Sequence, residues 1–308
     1  MNSISILICK NPSPTPQPAS PPLINGEWGR CCERRLKEMK KKVVIIKHVE
    51  NEGPGMIENF LKDHGWELQM VDLSHGEKLP DDFDNIAAVI MLGGSMNVYE
   101  ESTYPFLKDE DNFITRILIE EIPFLGIYLG AQLLAKACGA IISGSPQKEI
   151  GWYHIKFTEN GKRDSLFQGL PQKIPVFQWH EDTFEIPKNG VLLAESVVCK
   201  NQAFRVGNNA YGFQFHIEVT EEMVECWIKG EEGKVNIKKI LNATKKFKEV
   251  FEKQAHQLFL NFEGRIISSL RIKNVMRLFV EEGRKSKKKK AMLWWNIKEH
   301  ALVTAPDS

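Results

Sequence analysis

The stretch Phe124-Leu-Gly-Ile-Tyr-Leu-Gly-Ala-Gln-Leu-Leu-Ala135 decides how the rest of the chain is read. The apolar run Ile122 to Leu129 predicts a buried strand, which breaks at Gly130 into a helical pattern from Ala131 to Cys138. Gly126 and Gly130 stand two residues either side of Tyr128. That spacing is a glycine-flanked elbow, in which a sharp strand-to-helix turn lifts one side chain above the end of a sheet. Glycine is needed there because a Cβ would clash where strand and helix approach closely. The helix that follows turns free N–H groups, that of Leu129 among them, back toward the same spot and favours an anion or a developing oxyanion. The pattern is a platform for a nucleophile, and the residue standing on it is a tyrosine.

Working outward, Val43 to Ile46 is a continuous apolar run of the kind expected for a strand covered on both faces. Met56 to His64 has helical spacing, Trp66 to Val71 and Ala87 to Leu92 predict two more strands, and Phe113 to Glu121 predicts a helix before the elbow strand. Strands alternating with helices imply an α/β fold with a parallel sheet and ligands at the carboxyl ends of its strands. Gly93-Gly94 and Tyr128 both fall at such ends, a geometric reason to place them in one site. Downstream, Ile141 to Phe157 predicts short strands, and Pro175 to Phe184, Val191 to Glu195 and Ala203 to Ile217 predict further ones, with a hairpin-like turn at Asn208-Asn209. Glu221 to Trp227 starts a helix, and Ile237 to Phe262 carries apolar residues at helical spacing. From Arg265 that pattern weakens, and Arg284 to Lys290 is a basic run.

The segment GIYLGAQLLAKACGA (126–140) resembles the GxCLGxQ segment of class I glutamine amidotransferases, especially the stand-alone group similar to the glutaminase domain of GMP synthetase. MLGGSMNVYE (91–100), FQWHEDTFEIP (177–187) and GFQFHIEVT (212–220) fit the same family in the same order, and the resemblance spans roughly Lys42 to Gly264. It implies a flavodoxin-like three-layer sandwich around a mostly parallel sheet. It also implies hydrolysis of L-glutamine to glutamate and ammonia by a Cys–His–Glu triad, the ammonia passing to a synthetase partner or a small-molecule acceptor. By the same resemblance His216 is the base and Glu218 its orienter, and an i, i+2 spacing lets the two side chains meet at a strand end. Gly93, Gly94 and Ser95 match the oxyanion loop. Gln132, His180 and Asp182 match residues that line or hold the substrate, and Glu149, Gly151 and Trp152 match the stand-alone group without a role.

The departure lies at the nucleophile, where Tyr128 replaces the family's cysteine. A phenol ionises near pH ~10 and is a far weaker acyl-transfer nucleophile than a thiolate. Its ring should fill much of the space a glutamine side chain needs, and no other cysteine replaces it: Cys138 is ten residues along the helix, and Cys199 and Cys226 lie outside every motif. The expectation is therefore an impaired or inactive amidotransferase-like protein kept as a binding or partner-regulating domain. Two alternatives stay open. One is an active enzyme of the same fold, through Tyr128 itself or because a single-base sequencing error hides a cysteine codon. The other is a basic-tailed protein that binds nucleic acid or anionic lipid.

Composition sets the outer bounds. The 308 residues are 42% hydrophobic and 26% charged, an ordinary globular balance. The net charge of +1 hides an asymmetry: from Arg265 onward there are 11 Lys/Arg against 4 Asp/Glu. The tail has no interleaved aromatics, so nucleic acid is not an expected partner. The 6 cysteines, with Cys31 beside Cys32 and no spaced C-x-x-C pair, suggest reduced thiols rather than a disulfide framework, and no spacing calls for a metal or an organic cofactor. No apolar run reaches the length of a membrane span or forms a signal peptide, so a cytoplasmic location is expected. Three segments follow: a Pro-rich extension over 1–38, with six prolines between Asn11 and Pro22, the amidotransferase-like domain over 39–264, and a basic extension over 265–308. Met39, with its short basic lead into the first strand, reads as the natural start. Peptides from 1–38 in the mass spectrum of the native protein would refute that.

Overall fold

A computed structural model describes residues 41–229, 231 and 233–283, with side chains as far as residue 277. The Pro-rich extension, Met39 and the basic run from Arg284 lie outside the described residues. In chain order the first half runs β1 (Lys42–Lys47), α1 (Met56–Asp63), β2 (Glu67–Asp72), β3 (Ile86–Met91), α2 (Phe106–Ile119), β4 (Phe124–Ile127) and α3 (Leu129–Ala137). The second half runs β5 (Ile142–Phe157), α4 (Glu159–Arg163), β6 (Lys173–Phe184), β7 (Gly190–Glu195), β8 (Ala203–Val206), β9 (Ala210–Phe213), α5 (Glu221–Trp227) and α6 (Ile237–Gly283).

Strand β1 shows why the layers form. Its side chains alternate in direction, so Val43 and Ile45 enter one core with Phe60 and Leu61 of α1 and Phe259 of α6. Val44 and Ile46 enter the opposite core with Phe113 and Ile117 of α2 and Leu133 of α3. An apolar residue at every position is what a strand covered on both faces requires. The result is a three-layer α/β sandwich on a nine-stranded sheet of order β2-β1-β3-β4-β9-β8-β7-β5-β6. The first five strands in that order are parallel, and counted alone they follow the doubly wound order 2-1-3-4-5. The remaining pairings are antiparallel and form a wing beyond β9.

Several boundaries differ from the sequence reading. Helix α2 begins at Phe106 rather than Phe113, following Pro105, whose φ of −59° suits a helix start. The polar Lys108–Asp111 stretch masks that first turn, yet Glu110 within it is fully buried. The break after β4 falls at Tyr128 rather than Gly130, so α3 starts at Leu129. The short strands expected over 141–157 are one 16-residue strand with an irregularity between Gly144 and Glu149. Helix α6 runs past Gly264 to Gly283, with Ile266 and Leu270 in the core, so no structural break falls at the expected 264/265 boundary. Gly151 and Trp152 acquire a structural part in the same docking. Gly151 has φ 108° against Ile240, and the Trp152 indole donates to Thr244 Oγ1 at 2.8 Å while packing edge-on to Phe251.

Candidate active site

The elbow is built as its glycines require. Tyr128 has φ 51° and ψ −102°, a conformation that a side chain with a Cβ adopts only under constraint. A Cβ on Gly126 would overlap the Gly130 carbonyl, and one on Gly130 would overlap the Met91 carbonyl. The surroundings hold the turn in place. Tyr128 N–H donates to Phe213 O at 2.7 Å, tying the elbow to the end of β9, and Gly130 N–H donates to Leu92 O at 3.2 Å, tying it to the end of β3. The Tyr128 carbonyl accepts from Gln132 N–H at 3.0 Å and opens α3. The Leu129 N–H has no acceptor among the described residues and is available to a ligand oxyanion.

Immediately after β9 the chain delivers His216 and Glu218. The His216 Nδ1–H donates to Glu218 Oε1 at 2.7 Å, and Glu218 Oε2 accepts the Ile217 N–H at 2.9 Å, so the carboxylate is fixed from both sides. His216 N–H donates to Phe177 O at 2.8 Å, and its ring lies 5.7 Å from the Tyr128 ring and 4.8 Å, edge-on, from Trp227. Both residues are buried. Burial works against a charged imidazole, but the charge and hydrogen bond of Glu218, with the charge of Glu52, outweigh it and raise the His216 pKa. A buried imidazole held in this way by a carboxylate has the geometry that a base and its orienter need.

The glycine loop after β3 closes against them. A Cβ built on Gly93 would lie 3.3 Å from His216 Cε1 and 3.3 Å from Tyr128 Cδ1. Gly94 is equally confined, 2.9 Å from Leu129 Cδ2 by the same construction. Tyr128, His216, Glu218, Gly93, Gly94 and Leu129 therefore lie close together.

Three further residues shape this convergence, and no motif singled them out. His48, just beyond β1, donates from Nδ1 to the Gly93 carbonyl at 2.8 Å and from Nε2 to Glu110 Oε1 at 2.7 Å, with all of it buried. Both ring nitrogens face acceptors, which suits the doubly protonated imidazolium. Its pKa is raised accordingly: burial opposes the charge, and Glu110 and the Gly93 carbonyl overcome it. The pair thus fixes the carbonyl side of the glycine loop. Glu52 enters from the loop before α1, and a Cβ on Gly93 would collide with its Oε2. That oxygen is buried without a hydrogen-bond partner. Burial first, then the nearby Glu218, raises the Glu52 pKa against the pull of His216 and His48. The available signal for His48 was its place at the carboxyl end of a strand, and Glu52 sits before the Gly-Pro-Gly of residues 53–55.

The remaining expected residues divide into two groups. Asp182 lies toward the phenol, and its Oδ2 accepts from Tyr99 Oη at 3.1 Å. Gln132 and His180 sit behind it, both buried, and both donate to the Asp182 backbone carbonyl, at 3.5 and 3.0 Å. Both brace the Asp182 wall from behind. Burial and then the carboxylates of Glu52, Asp182 and Glu181 drive the Tyr128 pKa well above the usual phenol range. The arrangement offers a base, its orienter and an oxyanion donor around a phenol that keeps its proton.

Among known proteins, the sequence profile of glutamine amidotransferase class-I matches residues 54–225, more than half of the chain. The chain is 33% identical over 187 residues to the glutamine amidotransferase-like protein YfeJ of Salmonella typhimurium, spanning 78% of that protein. It is 38% identical over 138 residues to the glutamine-hydrolysing GMP synthase of Thermosipho africanus, and that match spans 25% of the synthase. The crystal structure of a glutamine amidotransferase from Thermotoga maritima superposes with a TM-score of 0.67 at 36% identity, covering 72% of this chain and 98% of that one. Sequence, fold and these relatives agree, and the chain belongs to the class I glutamine amidotransferase family.

Proposed function

We propose that this chain is a class I amidotransferase-like protein that has lost glutamine hydrolysis and persists as a binding or partner-regulating domain. The single observation that carries this reading is Tyr128 on the elbow, in the place of the family's cysteine. Family chemistry forms a thioester by attack of a thiolate on the glutamine carboxamide. The Tyr128 phenol is held protonated by burial and neighbouring carboxylates, and its ring packs against both cores from the space a substrate side chain would use. The family's other parts support a recent or tolerated loss: His216 and Glu218 remain hydrogen-bonded, and the Leu129 N–H remains available.

The ligand class follows from the family and the pocket: L-glutamine or a related small amino acid, met by the carboxylates of Glu52 and Asp182. The similarity to GMP synthases, confined to about a quarter of those enzymes, supports an ammonia-accepting synthetase as the partner whose subunit this chain resembles. No described helix is long and apolar enough to cross a membrane. The test is an ammonia-release assay on the purified wild type and on Tyr128→Cys, after resequencing codon 128. The wild type should show no release above background, and Tyr128→Cys should recover on the order of 10²-fold above it, because the base and oxyanion donor await only a nucleophile. Robust release by verified wild type would instead favour an active enzyme. An inert Tyr128→Cys that folds normally would mean that more than the nucleophile has been lost.

A further inference from the structure

Behind the Asp182 wall lies a second cluster of ionisable side chains that glutamine chemistry does not use. His180 on β6 and Glu149 on β5 are cross-strand partners, with Nε2 3.1 Å from Glu149 Oε2. Cys199, from the β7–β8 connection, completes the group: a His180 ring nitrogen, a Glu149 carboxylate oxygen and Cys199 Sγ all lie within 4.8 Å of one another. All three residues are buried, and the Glu149 and His180 side chains are fully so. We propose that Glu149, His180 and Cys199 form a site for a borderline-soft divalent metal ion, zinc(II) by its ligand set, which ties β5, β6 and the β7–β8 connection together behind the pocket.

Four observations point to a cation here. His180 Nδ1–H donates to the Asp182 carbonyl at 3.0 Å, the outer hydrogen bond that fixes the tautomer of a metal-bound histidine and aims Nε2 inward. Both ring nitrogens of this buried imidazole meet oxygen acceptors, and the one facing Nε2 belongs to a carboxylate, Glu149. Glu149 Oε2 is held by Gln202 Nε2 at 3.1 Å, while its fully buried Oε1 has no partner at all. Lastly, Ser145 Oγ lies buried beside the Cys199 sulfur, a further polar atom at the cluster. The similar buried pair His48–Glu110 has no cysteine beside it among the described residues, and the proposal does not extend to that pair.

The donor set selects the metal. A thiolate, an imidazole and one carboxylate suit zinc, whereas calcium and magnesium demand oxygen cages. Tetrahedral zinc would hold the three donor atoms about 3.3–3.7 Å apart, a small contraction from the present cluster. Binding displaces the thiol proton of Cys199 to solvent as the Sγ–metal bond forms, so affinity rises with pH. The irregularity in β5 between Gly144 and Glu149 leaves Pro146, Gln147 and Lys148 exposed immediately before Glu149 in the chain. Sequence spacing could not reveal the site, because its ligands come from three separate segments.

The full chain, purified without chelator, should carry about one zinc per molecule by elemental analysis. Zinc added after chelation should raise the melting temperature by about 5 °C. Cobalt(II) in place of zinc should give an intense tetrahedral visible spectrum with a thiolate charge-transfer band. The band and the thermal shift should vanish in Cys199→Ser and weaken in Glu149→Gln, and both should survive in Cys226→Ser, which removes an exposed thiol able to bind metal adventitiously. Loss of the band in Cys226→Ser but not in Cys199→Ser would overturn the proposal. If Cys199→Ser does not fold, the wild type decides alone: no charge-transfer band and an unchanged melting temperature would refute the site.

Discussion

Tyr128 bears two burdens at one position, since it replaces the reactive sulfur and also sits at φ 51°. Holding a non-glycine residue in such a region costs about 1–3 kcal/mol, and nearby backbone hydrogen bonds to Phe213 and Leu92 enforce it here. The strain can be separated from the packing of the ring. Tyr128→Gly and Tyr128→Ala both remove the ring, and only glycine removes the strain. Glycine should therefore give the more stable protein, by about 1–2 kcal/mol in urea unfolding. Equal stabilities would mean that the elbow relaxes once the ring is gone. The tyrosine itself was plain in the sequence. What it faces was not: Glu52 comes from a loop 76 positions earlier and shows no pattern of its own.

Among the elements, α6 makes the largest departure from the sequence reading. Its early turns were legible because Ile240, Phe251, Leu258 and Phe259 recur at helical spacing. Beyond Gly264 the apolar stripe thins to Ile266 and Leu270 among charged residues, and the helix is carried on by tertiary contact rather than by amphipathic strength. Ile266 is 0% exposed and Ile272 is 64% exposed, so the same truncation at the two sites should separate sharply. Ile266→Ala should cost about 2–4 kcal/mol in urea unfolding and Ile272→Ala about 0.5 kcal/mol or less. Comparable small losses would restore a domain boundary near 264. The parallel half of the sheet was readable for the opposite reason, since Val43–Ile46 and Ile86–Met91 are apolar at nearly every position. The long β5 was harder, because Ser145-Pro-Gln-Lys148 interrupts its alternation just where the strand bulges. The helix-start reading of α2 failed at Glu110, whose charge faces His48 in the interior rather than solvent.

In the molecule as a whole, buried ionisable groups gather at the carboxyl edge of the sheet, and they tilt stability in one direction. Lys and Arg number 41 against 40 Asp and Glu, so no large net charge dominates the response to pH. His48 and His216 are both raised from 6.5, burial opposing and Glu110 or Glu218 prevailing, so the folded chain binds more protons than the unfolded one above that value. Their contribution is complete below pH 6.5 and is lost as pH climbs through the raised folded values. Glu52, raised from 4.5 chiefly by burial, adds the same sign at lower pH, because ionising it in the folded state is disfavoured. Asp72 acts oppositely. Despite some burial, hydrogen bonds from Ser74, Lys47 and His75 hold its carboxyl well below 3.8, and its contribution is lost only in acid. Stability should accordingly peak on the acidic side of neutrality. The urea midpoint should fall steadily as pH rises from about 6.5 to 8. Glu218→Gln takes away the main charge holding the proton on His216 and should flatten that decline while lowering stability at pH ~6. A midpoint that climbs with pH across this window would show that the two histidines are buried neutral, with Glu110 and Glu218 unable to offset the desolvation of their rings.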